Sequence, residues 1–360
     1  MYHFILFFFS FLFVYFFTYQ VRKIAIKINF IDKPEERKFH TKPTPLLGGI
    51  AILVGLIISF IASNYICYGL IPEIREISYY FIGLLLVSLL GLFDDYSMMS
   101  PYIKFILQSV IALLFIFGTK MTNILNSVFI TVPLLLLWMV GLMNALNFLD
   151  NMDGITAGMA SILGFGYFAL GILLHNHFLS LVSAIFIGCC IGFLFHNFHP
   201  AKIFLGDAGS MLIGYTLSVL GIILLNQIVI INNNIINFKL LLPILLLSYA
   251  IFDISLVSFT RKRDGRNILE GGKDHSTHRI GTATGSVKIT AFMVYLINIL
   301  IVLITVIVFL ANNQYLTLAT TIIFAMVFLF FGGKLDNIPI AISQNQLRKK
   351  HKDINSKIKT

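Results

Sequence analysis

Charged residues are scarce in this sequence. Asp, Glu, Lys and Arg make up 12% of its 360 residues, about half the share of an ordinary soluble domain. Hydrophobic residues reach 58% and the mean hydropathy is +0.90, which excludes a string of soluble domains and makes lipid the solvent for most of the chain. Cysteine is nearly absent. Cys67, Cys189 and Cys190 have neither metal-ligand spacing nor a credible disulfide pairing, so a cysteine zinc site and a disulfide scaffold are excluded and the three read as packing residues. Acids are fewer than bases, and the net charge of +10 could suggest nucleic acid. The bases, however, sit in short gaps between apolar runs, where they read as orientation signals and contacts to anionic headgroups. No repeat of fixed period and no second soluble domain is visible.

What the chain has is long apolar runs. An unpaired backbone amide in hydrocarbon costs several kcal/mol, so such runs must be helices. Eleven are expected, near 3–20, 46–66, 79–93, 103–119, 127–144, 157–174, 178–196, 210–230, 239–259, 288–311 and 315–332, with ten as the alternative count. The fold class is therefore all-α, a polytopic membrane helix bundle. The first run lacks a basic leader and a small-residue cleavage site and is followed by Arg22, Lys23 and Lys27, so it is expected to stay as an uncleaved helix with its N-terminus outside. With eleven spans, all of the 26 Lys and Arg except Arg75, Lys120 and Lys239 fall on one face. By the positive-inside rule that face is cytoplasmic, as is the C-terminus. One transmembrane domain over 1–333 and a basic cytoplasmic tail over 334–360, with Arg348, Lys349, Lys350 and Lys352 meeting anionic lipid, complete the expected organisation.

Ionisable groups at membrane-helix ends are expensive unless solvated or paired, and four clusters of them fall on the cytoplasmic face. Asp94 and Asp95 end the third run in GLFDDYSMM. Adjacent carboxylates repel, a cost that a hard divalent cation or a shared proton relieves, and Mg²⁺ suits a few carboxylates together with substrate phosphates. Asn144, Asn147, Asp150 and Asp153 recur every three residues in NALNFLDNMDG and would line one slowly rotating stripe of a continuing helix. Asp207 stands between glycines in FLGDAGS, a short turn of the kind that cradles phosphate. In GGKDHSTHRI, two histidines three apart make a poor zinc site but, with Lys273 and Arg279, a reasonable anion-recognition loop.

These motifs, in this order, resemble the polyprenyl-phosphate N-acetylhexosamine-1-phosphate transferases, glycosyltransferase family 4, which include the undecaprenyl-phosphate GlcNAc-1-phosphate transferases and the MurNAc-pentapeptide translocase. The likeness runs over nearly the whole chain: PTPLLGG at 43–49, the Asp94-Asp95 pair followed by Lys104 and Gln108, the Asn/Asp motif, GDAGS and the histidine loop. It implies transfer of an N-acetylhexosamine-1-phosphate, GlcNAc-1-phosphate foremost, from a UDP-sugar to undecaprenyl or another polyprenyl phosphate, with release of UMP. This would be the first membrane step of a cell-envelope glycan, in cell-wall or lipopolysaccharide biosynthesis, at the inner face of the plasma membrane. It further implies Mg²⁺, replaceable by Mn²⁺, on Asp207; Asp94, Asp95 and Lys104 at the lipid phosphate; and Asn144, Asn147, Asp150 and Asp153 around the nucleotide and diphosphate. Phe204 would stack on uracil, and His275, His278 and Arg279 would close over the sugar diphosphate.

Two positions depart from the family pattern. Asn151 replaces the glycine of Asp-Gly-x-Asp-Gly, a change expected to be tolerated because Asn accepts left-handed backbone angles. The loop lacks the three adjacent histidines typical of the MurNAc-pentapeptide translocase, which favours a plain N-acetylhexosamine donor, and Thr277 stands where sugar-only relatives often carry a middle histidine. Direct in-line attack by the lipid phosphate is the expected route, with a phosphorylated Asp94 or Asp95 intermediate as the alternative. Dimerisation is left open. A secondary transporter, the rival from another class, would place acids near the bilayer midplane and show an internal repeat.

Overall fold

The computed structural model describes residues 2–32, 43–66, 74–232, 237–267 and 272–338. Within them lie thirteen α-helices: α1 (Tyr2–Lys27), α2 (Gly48–Ile66), α3 (Ile74–Tyr96), α4 (Pro101–Gly118), α5 (Val128–Leu149), α6 (Ile155–Leu173), α7 (His177–Asn197), α8 (Gly206–Asn232), α9 (Leu242–Leu246), α10 (Ser248–Arg263), α11 (Ser276–Thr284), α12 (Val287–Leu310) and α13 (Gln314–Asp336). Ten of these are long and apolar enough to cross a membrane. The protein is an all-α, polytopic integral membrane protein.

The expected ninth span is broken. A short 3₁₀ turn at Phe238–Leu241 and α9 bend by 72° into α10, so 239–259 is not one straight helix, and counting the bent pair as a span gives eleven. Several boundaries also moved, α1 among them, which runs to Lys27 and takes in Arg22 and Lys23. α3 reaches Tyr96 and α5 reaches Leu149, so Asp94, Asp95 and Asn147 lie within helices, not beyond their ends. α13 runs to Asp336, past the expected edge of the membrane domain at 333. Residues 339–360, most of the basic tail, and Cys67 lie outside the described residues. A two-stranded antiparallel pairing, β1 (Ile31–Asp32) with β2 (Thr44–Pro45), was not foreseen.

α8 is the axis of the bundle, buried along nearly its whole length, with α2, α3, α5 and α6 packed on it. Lipid is as apolar as leucine, so such packing depends on close backbone approach at small residues. At its start a Cβ on Gly49 would stand 2.3 Å from the Gly209 nitrogen. The Gly48 and Gly49 amides donate to the Phe204 and Leu205 carbonyls at 3.0 and 2.8 Å. PTPLLGG is thereby strapped beside FLGDAGS, and the start of α8 is fixed against α2.

Candidate active site

Pro101, free of the need for an amide partner at a helix start, opens α4 directly after α3 ends, so the chain reverses and returns Lys104 against Asp94. Lys104 Nζ donates to Asp94 Oδ2 at 2.7 Å, to Asp207 Oδ2 at 2.7 Å and to Asn147 Oδ1 at 3.2 Å. Asn147 Nδ2 in turn donates to Asp207 Oδ1 and to Ser210 Oγ, both at 2.9 Å. Four helices, α3, α4, α5 and α8, thus converge on one ammonium. The side chains of Asp94 and Lys104 are 10% and 12% exposed and that of Asp207 is 34%, so Asp207 is the member of the trio that an incoming ligand reaches first.

Asp95 has a different job from Asp94. Successive helix residues point about 100° apart, and Asp95 faces the start of α8, where its Oδ1 and Oδ2 accept the Asp207 and Ala208 amides at 2.9 and 3.2 Å. It caps α8 and holds the Asp207 backbone. Gly206 makes this possible with φ +74°, and a Cβ there would fall 2.7 Å from Asp95 Oδ2. Asn144 is likewise displaced from its expected role: its Nδ2 donates to Oε1 of the buried Gln108 at 2.7 Å, one turn inward from Asn147. Asp150 caps the C-terminal end of α5 and is half-buried; burial pushes its carboxyl up to about 8, with Asp207, Asp95 and Asp153 adding repulsion. The stripe ends there. Asp153 Oδ2 meets His199 Nδ1 at 2.7 Å and accepts the Ala201 amide at 3.0 Å, tying the α5–α6 turn to the segment before α8. Phe204 is half-buried in that segment, its amide donating to the Pro45 carbonyl at 2.8 Å. Asn151 is not among the residues with positive φ, whereas Gly154 is, so the substituted position needs no left-handed backbone.

The histidine loop is organised by an acid that the sequence reading passed over. Asp253 in α10 is fully buried; its Oδ2 meets His275 Nδ1 at 2.9 Å, and its Oδ1 accepts from the Ser276 amide and hydroxyl at 2.7 and 2.6 Å. A lone acid inside the apolar stretch 239–259 was the available signal. His278 is buried, and burial, then His275, push its imidazole down to about 3. Arg279 is 1% exposed and spends its guanidinium on the Asp274 carbonyl at 3.0 Å, the Leu335 carbonyl at 3.0 Å and Asp336 at 3.2 Å. It joins the loop to the end of α13, so its guanidinium is committed to the scaffold and not held ready to close over a sugar diphosphate as expected. Asp274 is paired twice, bidentately with Arg261 at 2.7 and 2.8 Å and with Arg266 at 2.5 Å.

Comparison with known proteins adds an independent line. The family description "Glycosyl transferase family 4" matches residues 77–225. A probable undecaprenyl-phosphate N-acetylglucosaminyl 1-phosphate transferase of Bacillus subtilis is 33% identical over 288 residues, covering 77% of each chain. The decaprenyl-phosphate N-acetylglucosaminephosphotransferase of Mycolicibacterium smegmatis is 31% identical over 78% of this chain and 76% of its own. The chain belongs to glycosyl transferase family 4. A phospho-N-acetylmuramoyl-pentapeptide-transferase of Halalkalibacterium halodurans is 30% identical over a smaller share, 55% of this chain. The stretch matched to family 4 carries Asp94, Asp95, Lys104, Asn147, Asp150 and Asp207, while Asp253 and the histidine loop lie beyond it.

Among the described residues no three His, Cys, Asp or Glu side chains gather into a closed metal cage. The donor set fits a looser kind of site. Asp207, partly exposed and across Lys104 from Asp94, suits a Mg²⁺ that keeps several waters and takes its remaining ligands from substrate phosphates.

Proposed function

We propose that this family 4 protein transfers N-acetylglucosamine-1-phosphate from UDP-GlcNAc to undecaprenyl or another polyprenyl phosphate and releases UMP. The reaction takes place at the cytoplasmic face of the plasma membrane and opens the lipid-linked assembly of a cell-envelope glycan. The observation that carries this reading is the Lys104 ammonium seated between Asp94 and Asp207, at the ends of apolar helices. A polyprenyl tail stays in the bilayer while its phosphate meets a water-soluble nucleotide there. The names of the relatives support the sugar and the acceptor, and the distribution of Lys and Arg supports the cytoplasmic side.

Asp94, nearly buried and already hydrogen-bonded to Lys104 and to the Met99 amide, orients the acceptor phosphate and takes its proton where one is present. An acceptor oxygen forms a bond to the β-phosphorus of the donor, and the bond from that phosphorus to the bridging oxygen breaks, its electron pair leaving with UMP. Lys104 exchanges carboxylate contacts for phosphate oxygens as charge spreads in the transition state. Asn147 holds Asp207 in place, and Asp95 holds it through the backbone. Two carboxylates, Asp94 and Asp207, flank a single ammonium, with Asp95 behind the Asp207 backbone, a balance that disfavours a diphosphate. Mg²⁺, or Mn²⁺ in its place, held by Asp207 and the donor phosphates, would supply the missing positive charge.

The test is release of radiolabelled UMP from UDP-GlcNAc by purified protein with undecaprenyl phosphate and Mg²⁺, beside UDP-GalNAc, UDP-MurNAc-pentapeptide and Asp207→Ala. Release that requires metal and Asp207 is the expected result. No release with any donor, from protein shown to be folded, would overturn the transferase reading.

A further inference from the structure

The two positions that depart from the family pattern touch each other. Thr277 Oγ1 donates to Asn151 Oδ1 at 2.8 Å, and Asn151 Nδ2 donates to the Phe148 carbonyl at 2.8 Å, so the amide is oriented with its oxygen toward the threonine. Thr277 is fully buried. Gly281, one turn further along α11 and on the same face, packs so closely that a Cβ there would lie 2.9 Å from Met152 Cε. One face of α11 is therefore docked on Asn151 and Met152, the residues between Asp150 and Asp153. His275 sits beside the same turn, its ring 5.6 Å from that of Phe148. The helix packs on α10, α12 and α13, and the acceptor-side residues Asp94 and Lys104 belong to α3 and α4.

We infer that the Thr277–Asn151 hydrogen bond is a positioning latch that sets the histidine helix over the acidic turn and so governs recognition of the donor sugar nucleotide, leaving the acceptor site untouched. The inference rests on the transferase reading above. Neither side chain needs to contact the donor. The latch acts by fixing the spacing between His275, itself held by Asp253, and the Asp150–Asp207 side of the pocket. Thr277 is fully buried and Asn151 half-buried, so water replaces a lost partner poorly, and cutting the bond loosens that spacing at a cost expected to appear as a three- to tenfold effect, about that of one hydrogen bond.

The experiment measures initial rates of UMP release, varying UDP-GlcNAc at saturating polyprenyl phosphate and then the reverse, for the wild type, Thr277→Val, Thr277→Ser, Asn151→Ala and the Thr277→Val/Asn151→Ala double variant. Expected are a rise of about three- to tenfold in donor KM for the valine and alanine variants, an unchanged acceptor KM, near-wild-type behaviour of the serine variant, and a double variant no worse than the poorer single. An unchanged donor KM in the valine variant, multiplying effects in the double, equal rises in donor and acceptor KM, or a serine variant as impaired as valine would each overturn the latch. Should the valine variant not fold, the serine and alanine variants decide by the same criteria. A wild type inactive with every donor would sink the transferase reading and the latch with it, whereas an active wild type with flat KM values sinks the latch alone.

Discussion

Removing the Lys104 charge should unsettle the centre of the site in a way that a second substitution repairs. Lys104→Met keeps the length of the stem but leaves Asp94 and Asp207, each 2.7 Å from the lost ammonium, facing one another. Deleting one partner of a fully buried pair costs about 3–5 kcal/mol, and an exposed pair is worth about 0–1 kcal/mol. With Asp94 and Lys104 nearly buried and Asp207 one-third exposed, the loss should fall between, at about 2–3 kcal/mol. For a chain this size that is a fall in melting temperature of about 3–4 °C. Asp207→Asn on top of Lys104→Met removes the repulsion and should recover most of the loss, although both variants lose turnover by about a hundredfold or more. Thermal melting of the ligand-free protein in lipid nanodiscs, at one pH and salt, reads the stability cycle, and UMP release reads the activity. A Lys104→Met protein that melts with the wild type, or a double variant that melts below the single, would refute the account of the lysine as the counter-charge of the pair.

Gly206→Ala forces a side chain into left-handed backbone, at about 1–2 kcal/mol, and drives a Cβ into the Asp95 carboxylate, whose capping is worth about 1 kcal/mol; a melting temperature equal to that of the wild type would contradict this. Asp253→Asn places an N–H₂ group against His275 Nδ1 and imposes the other tautomer, so turnover should drop by about ten- to a hundredfold while Ser276 keeps an acceptor and the melting temperature barely moves. Asp150, with its carboxyl raised to about 8, binds a proton more tightly folded than unfolded, so ligand-free stability should decline as pH rises from about 4 to 8. Asp150→Asn should flatten that slope, and parallel melting curves against pH for the two proteins would rule it out.

The membrane bundle was legible because lipid leaves an apolar run no choice: its amides must bond within the run, whatever surrounds it. Length and hydropathy alone therefore give eleven runs, with ten as the alternative count; ten form single long helices and the eleventh is a bent pair. The broken ninth span was not legible, since the bend between α9 and α10 lies inside a run of uniform apolarity. The acids of the site were legible as a set, because ionisable groups at helix ends need a reason to be there. Their division of labour was not. Asp94 and Asp95 are neighbours with the same side chain, and only the helix rotation that turns one toward Lys104 and the other toward the start of α8 separates site from scaffold. Asp95 meets Asp207 across 112 positions of chain, and Thr277 meets Asn151 across 126. Arg279 looked like an anion clamp by type and motif, yet the end of α13 claimed it. Type and motif determine that a polar side chain must find a partner in a medium that offers no water, and the packing of helices distant in sequence decides which partner is within reach.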